Sequence, residues 1–305
     1  MMNLIGCLPA GWKMMMNNRV GGKAVGEVLE DFIFRLGKNS DTPGLDAQEL
    51  LARVLDRPTS WVRAHPETCL NRSRIARLEN LVSRLERGEP LPYVLGHWEF
   101  LGLEFEVTPD VLIPRPETEL LVERAIAWLG GRTVNNEERR VLDLGTGCGC
   151  IAISLAVNVP GIRVTATDIS PAALAVARRN ARKWHVLDRI SFLDVDLIPD
   201  ATVTDPFFLI VANPPYIPTK TLHRLPIYGR EPTLALDGGS DGLDLIRRIL
   251  AKAPEGLIPG GLLLMEIEAS EGPAALSLAY DLFTKAEIHL HKDLAGRDRI
   301  LEVQV

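Results

Sequence analysis

The segment Val141–Cys150, VLDLGTGCGC, leaves few folds open to this chain. Val141, Leu142 and Leu144 form an apolar run of the kind that makes a strand buried on both faces. Gly145, Gly147 and Gly149 follow at alternate positions, and Ile151–Val157 reads as an apolar helix. Glycine lets the backbone turn sharply and lets a ligand come close. A helix opening from such a turn aims its free N–H groups at whatever lies over the loop. Strand, glycine turn and helix in that order make the first half of a parallel crossover unit.

The rest of the chain keeps that rhythm. Arg163–Thr167, Ile190–Leu193, Phe207–Ala212, Leu262–Ile267 and Ile300–Val303 read as strands. Helices are expected at Pro171–Lys183, with Ser170 as N-cap, and at Gly242–Ala253. Such alternation predicts a doubly wound, mostly parallel α/β sheet with helices on both faces.

Ahead of it the pattern differs. Ile75, Leu78, Val82 and Leu85 recur at helical spacing, with Asn71 or Ser73 as cap and Gly88 with Pro90 as the stop. Leu45, Leu50, Leu51, Val54 and Leu55 mark a shorter helix before it. The arginines at 72, 74, 77, 84 and 87 read as a solvated polar face. Tyr93–Pro109, YVLGHWEFLGLEFEVTP, reads as a β-hairpin broken at Gly96 and Gly102. The expected plan is a disordered extension over residues 1–22, with an internal start at Met14, Met15 or Met16. A small helical domain over 23–90, a hairpin linker over 91–111 and the α/β domain over 112–305 follow. Two domains are ordinary for 305 residues.

Composition narrows the function. A formal net charge of −6 gives no global basic field, so a stable nucleic-acid complex is not expected. The apolar runs are too short to span a bilayer, and the first residues lack the pattern of a secretory signal. Cys7, Cys69, Cys148 and Cys150 are too few and scattered for a disulfide framework, so a reducing cytoplasm is expected. Cys148 and Cys150 do not have metal-site spacing, and His289 with His291 lacks a third ligand, so no metal is expected.

Two stretches carry chemistry. The glycine spacing is G-x-G-x-G; a dinucleotide fingerprint would put its third glycine where Cys150 stands, and no Gly-Lys-Ser/Thr follows for a phosphate loop. Asp168 ends the second strand, where a carboxylate accepts ribose hydroxyl protons. Asp194 and Asp196 follow the third, and Asp196 with Leu197 suits an adenine amino group and face. After the fourth strand come Asn213, Pro214, Pro215 and Tyr216. The prolines stop the strand and stiffen the loop. The Asn213 side-chain oxygen and the Pro214 carbonyl are two acceptors for a planar –NH2, and Tyr216 can stack on the group that bears it. The motif does not choose between a glutamine amide and an adenine.

These residues resemble the class I S-adenosylmethionine-dependent methyltransferases. The resemblance implies a Rossmann-like seven-stranded sheet and S-adenosyl-L-methionine as cofactor. Gly145, Thr146, Gly147, Cys148 and Gly149 would cradle its methionine end, with help from Asp143. Asp168 would hold the ribose, Asp196 and Leu197 would flank the adenine, and Asn213 would serve both cofactor and target.

Three further segments choose the target: IPRPETELLVERA (Ile113–Ala125), EPTLALDGGSDGLDLIRRIL (Glu231–Leu250) and KDLAGRDRILEV (Lys292–Val303). With the helical region they resemble the release factor glutamine methyltransferases, from about residue 25 to the end of the chain. That resemblance implies methylation of the glutamine in the Gly-Gly-Gln loop of peptide chain release factors, with the helical domain helping to dock the substrate; a monomer is expected. It places Phe100 in the glutamine pocket, with Arg115 and Glu119 as wall residues. The chain departs from the family pattern at Glu268, Glu271 and Arg297, which are expected to be peripheral. A glutamine methyltransferase acting on a ribosomal protein would tend to have a Ser-Pro in the segment where this chain has Arg115-Pro116-Glu117-Thr118-Glu119. An adenine-N6 enzyme would need a basic groove and a reading domain. A non-catalytic cofactor module would tolerate a broken Asn-Pro-Pro-Tyr, and a nicotinamide dehydrogenase is disfavoured by Cys150.

Overall fold

The computed structural model describes residues 22–131, 139–199 and 205–305. The expected extension, its internal starts and Cys7 lie outside the described residues, apart from Gly22. The chain divides into two compact units between Leu95 and Gly96.

In the first unit a two-residue strand pair, β1 (Lys23–Ala24) and β2 (Cys69–Leu70), accompanies five helices. These are α1 (Val25–Leu36), α2 (Pro43–Leu55), α3 (Thr59–Ala64), α4 (Arg72–Glu86) and α5 (Leu91–Leu95). Val28, Phe32, Leu36, Leu50, Leu51, Leu78 and Val82 are buried, the apolar stripes meeting as their spacing requires. Of the two candidate caps the structure uses Asn71, whose side-chain oxygen accepts the Arg74 N–H at 2.9 Å. Asn71→Ala is expected to lower stability in urea unfolding by about 1 kcal/mol. Leu91–Leu95 was expected to open the hairpin and is helical instead. Pro92 sits in the first turn, where its missing N–H is harmless, and the Pro90 carbonyl accepts from Tyr93 and Val94.

The second unit opens with a hairpin, β3 (His97–Phe100) and β4 (Leu103–Glu106). Its two-residue turn places Leu101 at φ 49° and Gly102 at φ 70°, the left-handed conformation that such turns demand. Next come α6 (Pro116–Gly130), β5 (Arg140–Leu144), α7 (Cys150–Asn158), β6 (Arg163–Asp168), α8 (Pro171–Lys183), β7 (Ile190–Asp194) and β8 (Phe207–Ala212). Then follow α9 (Thr219–Leu222), α10 (Asp244–Gly256), β9 (Leu257–Glu266), α11 (Gly272–Leu282), β10 (Glu287–Lys292) and β11 (Asp298–Gln304). Neither α6 nor α11 was read from the sequence, and β9 begins five residues before the expected strand.

The strands form one seven-stranded sheet in the order β10-β11-β9-β8-β5-β6-β7. From β9 to β7 every pairing is parallel, and β11 and β10 close the edge as an antiparallel hairpin. This is the mostly parallel sheet that the sequence implied. Alternate residues face opposite sides. Leu142, Leu144, Ile210, Ala212, Leu263 and Met265 share one core with Ile246, Ile249 and Leu250 of α10 and Ala275 and Ala279 of α11. Their sequence neighbours face the other way. The chain leaves β5 for β6 and β7, then returns to β8 on the opposite side of β5. Such a switch opens a crevice at the carboxyl ends of the two central strands.

Candidate active site

That crevice holds a cavity of about 600 Å³. Of the residues singled out in the sequence, Gly145, Gly147, Asp168, Asp196, Leu197, Asn213 and Pro215 line it. They come from the carboxyl ends of β5, β6 and β8 and from the loop after β7, so one sheet edge gathers segments that are far apart in sequence.

The glycine loop turns through the left-handed region, with φ of 68° at Gly145, 56° at Gly147 and 86° at Gly149. A Cβ at Gly145 or Gly147 would stand in open space, so both leave backbone bare beside the cavity. Gly149 is bare for packing: a Cβ there would meet Ile153 Cδ1 at 2.8 Å. Thr146 and Cys148 are buried beneath the loop and do not line the cavity. Asp143 is fully buried too. Its Oδ2 accepts the Thr146 hydroxyl at 2.6 Å and the Ala152 N–H at 3.2 Å, tying the loop to α7. Its Oδ1 is buried without a hydrogen-bond partner among the described residues. Burial pushes this carboxyl up to about 7.

Asp168 braces the same loop from β6. Oδ2 accepts the Gly147 N–H at 2.9 Å and Oδ1 the Ser170 N–H at 2.8 Å. Each oxygen keeps a lone pair for a further donor. Burial raises this carboxyl as well. Beside it Ile169 lines the cavity while 52% exposed, an apolar side chain held against open space. Leu197 lines the cavity from a backbone at φ 61°, rare for a residue with a Cβ. Asp196 pairs with Arg248 at 2.6 Å on the same rim. Bare loop backbone, a carboxylate and facing apolar side chains fit a ligand with a polar tail, a diol and a flat ring.

Asn213 follows β8 directly. Its Nδ2 donates to Thr118 Oγ1 at 2.9 Å. The Thr118 hydroxyl donates to Glu266 Oε2 at 2.7 Å, and the Tyr216 hydroxyl donates to Glu266 Oε1 at 3.3 Å. Pro214 is buried, and Tyr216 is held by its hydroxyl rather than lining the cavity. A second glycine-rich loop backs this segment. Ile217 N–H donates to the Leu236 carbonyl and Gly238 N–H to the Ile217 carbonyl. A Cβ on Gly238 would fall 2.7 Å from Tyr216 Cα, and one on Gly242 would fall 2.4 Å from the Tyr216 carbonyl.

Buried acids surround the loop. Burial pushes Glu266 up to about 7, opposed by its Thr118 hydrogen bond and by Arg299. Burial also pushes Glu271 up to about 7, and its Oε1 has no hydrogen-bond partner among the described residues. A carboxyl raised on folding binds its proton more tightly in the folded chain, so its burial destabilises as pH rises through that window. Glu271→Gln is therefore expected to raise the melting temperature at pH 8 and to leave it nearly unchanged below about pH 4, read by calorimetry. The expected periphery is thus split: Glu271 is buried beside the Gly242 turn, whereas Arg297 is exposed in the β10–β11 turn.

Phe100 is 1% exposed and packs edge-to-face on Phe105 across one face of the hairpin, 6.2 Å between ring centres, and it does not line the cavity. Glu119 accepts the Leu101 N–H at 2.8 Å, and Arg115 pairs with Glu231 at 2.7 Å. Both hold backbone segments together. Sequence reasoning did not single out Thr118, Glu266 or Ile169.

Residues 27–96 match the PrmC N-terminal domain, and residues 123–225 match the Methyltransferase small domain. A solved protein-(glutamine-N5) methyltransferase (release factor-specific) from Alicyclobacillus acidocaldarius is 33% identical. It covers 66% of this chain and 98% of its own, at a TM-score of 0.42. The release factor glutamine methyltransferase of Bordetella pertussis is 43% identical over 259 residues, 85% of this chain and 93% of that protein. That of Moorella thermoacetica is 44% identical over 277 residues, 90% of this chain and 95% of that protein. With identity this high along nearly the whole length of both relatives, the chain belongs to the release factor glutamine methyltransferase family.

Proposed function

We propose that this protein transfers the methyl group of S-adenosyl-L-methionine to the side-chain amide nitrogen (N5) of the glutamine in the Gly-Gly-Gln loop of peptide chain release factors. The observation that carries this reading is the Asn213 amide, whose nitrogen is engaged by Thr118 so that its oxygen is left to accept. When bound, the sulfonium cofactor supplies an activated methyl group and a neutral thioether leaving group. The bare backbone at Gly145 and Gly147 takes the methionine end, Asp168 accepts the ribose hydroxyls, and Ile169 and Leu197 flank the adenine. Asp143, Thr146, Cys148 and Gly149 act from beneath, by shaping the loop.

An amide nitrogen shares its lone pair with its carbonyl and is a weak nucleophile. The Asn213 oxygen and the Pro214 carbonyl each accept one of its N–H bonds, which favours the positive charge that develops at nitrogen. Tyr216, fixed by Glu266, stiffens the loop that holds the amide in line with the methyl group. No strong base is required, because the proton leaves nitrogen after the new C–N bond has formed. The protein works in the cytoplasm as a monomer, with the helical unit as docking surface for the release factor.

The test uses labelled S-adenosylmethionine with a bacterial release factor, the same factor carrying Gln→Ala in its Gly-Gly-Gln loop, ribosomal protein and duplex DNA. Label on the wild-type factor alone is the expected result. Label on DNA, on ribosomal protein or on none of the four, while cofactor still binds, would overturn the reading.

A further inference from the structure

Thr118 and Glu266 lie directly behind Asn213, 2% and 0% exposed, and touch no part of the cavity. An asparagine amide can turn over, exchanging oxygen for nitrogen with almost no change of shape. Turned over, Asn213 would present an NH2 to an incoming NH2, donor against donor. The site needs something that chooses one orientation.

The network behind the loop makes that choice by elimination. An ionised Glu266 has no proton to give, so each hydroxyl that meets it must donate. Thr118 does so at 2.7 Å and Tyr216 at 3.3 Å. Once Thr118 has spent its proton on Glu266, it can only accept, and it accepts Asn213 Nδ2 at 2.9 Å. We propose that Thr118 and Glu266 are positioning residues that fix the orientation of the Asn213 amide, with its oxygen toward the substrate nitrogen. The activity arm of the test rests on the glutamine reading of the site; the spectroscopic arm does not.

Glu266 is met from several elements. Glu117 and Thr118 face it from α6, Tyr216 from the loop after β8, and Arg299 from β11. Arg299 and the two hydroxyls favour its ionised form, while burial and Glu117 oppose it. The balance leaves the carboxyl titrating near neutrality, so the lock loosens as pH falls and the protonated acid gains a hydrogen to donate.

The experiment compares Thr118→Val, Thr118→Ser and Glu266→Gln with the parent at saturating cofactor and release factor. T118V keeps the shape and loses the hydroxyl, and kcat is expected to fall about 100-fold. KM for the release factor and Kd for the cofactor should stay within about twofold, since the loss is confined to the reacting geometry. T118S restores the hydroxyl and should return kcat to within about threefold of the parent. E266Q carries a donor in the place of a carboxylate. It should be slow and flat between about pH 6 and 8.5, near the rate to which the parent falls at the acid end.

The Asn213 side-chain NH2 resonance, assigned by its absence from N213S, reads the same contact with no substrate present. It is expected to shift and to exchange faster in both T118V and E266Q. Parental kcat in T118V, a T118S no better than T118V, or an unmoved Asn213 resonance would overturn the proposal. If T118V does not fold, the E266Q profile and resonance decide. If the parent itself methylates no release factor, the glutamine reading fails while the resonance still answers the positioning question.

Discussion

Asn213→Ala is expected to slow methyl transfer about 100- to 1,000-fold, the usual effect of removing one preorganised partner of a developing charge. The residue sits at the end of a strand whose six residues are all buried, and its amide is fixed by Thr118 before any substrate arrives. Alanine removes an acceptor without filling the space, leaving the substrate nitrogen with one carbonyl in place of two. Cofactor affinity should change by less than about tenfold, because Asn213 borders the cavity at one point while the loop and Asp168 hold the rest. Asn213→Asp sharpens the test. It retains an acceptor oxygen but has no Nδ2 to give Thr118, and it sets a second carboxylate beside Glu266. If acceptor chemistry alone mattered, N213D would be active; the structure predicts that it is as slow as N213A. Single-turnover transfer of labelled methyl, with cofactor Kd measured alongside, separates the outcomes. An N213A enzyme within threefold of the parent would remove the amide from the mechanism.

The parts of this molecule that were legible in advance are those in which neighbours in sequence are also neighbours in chemistry. Strand β5, its glycine turn and helix α7 are one continuous segment, and residues 141–158 carry their own periodicity and turn signals. The same holds for Asp168 at the end of β6 and for Asn213 at the end of β8, where a polar residue stops an apolar run. Helix α6 was equally legible and was not read: Pro116 at its first turn precedes Leu121, Val122, Ala125 and Leu129 at helical spacing. The aromatic Phe100 illustrates a different limit. A local pattern shows that a large apolar ring is present, but only the paired register of the hairpin sets it edge-on against Phe105.

Thr118 and Glu266 mark the deepest limit. Their contact joins α6 to the end of β9, across 148 residues, and nothing in either segment announces the other. Glu266 ends a strand of leucines and a methionine, where a charge is costly unless paired. A buried acid terminating an apolar strand was the available signal. Glu268 and Glu271 stand out in the sequence as departures from the family pattern, and they draw the eye away from it. The arrangement of the site therefore follows from the sheet, which brings four strand ends to one edge, more than from any single motif.

Asp168, the carboxylate proposed to hold the ribose, gives the second large effect. Asp168→Ala is expected to weaken cofactor binding about 100- to 10,000-fold, since hydrogen bonds to a charged group contribute roughly 1.5–3 kcal/mol each. Two such bonds are at stake on the cofactor side. Two more hold the protein itself, to the N–H groups of Gly147 and Ser170 at 2.9 and 2.8 Å. Alanine leaves both amides without their acceptor, so the loop that should meet the methionine end loses its brace. Asp168→Asn should fall between parent and alanine, because its amide keeps one acceptor and turns a donor toward one of those N–H groups. The pH dependence follows from the same geometry. Burial raises the Asp168 carboxyl, so its ionised, accepting form is lost sooner as pH falls than that of an exposed aspartate. Affinity should thus decline toward acid pH in the parent and much less in D168N, with titration calorimetry at saturating protein as the measurement. If D168A binds cofactor within threefold of the parent, the ribose is held elsewhere, and Asp168 serves only to shape the glycine loop.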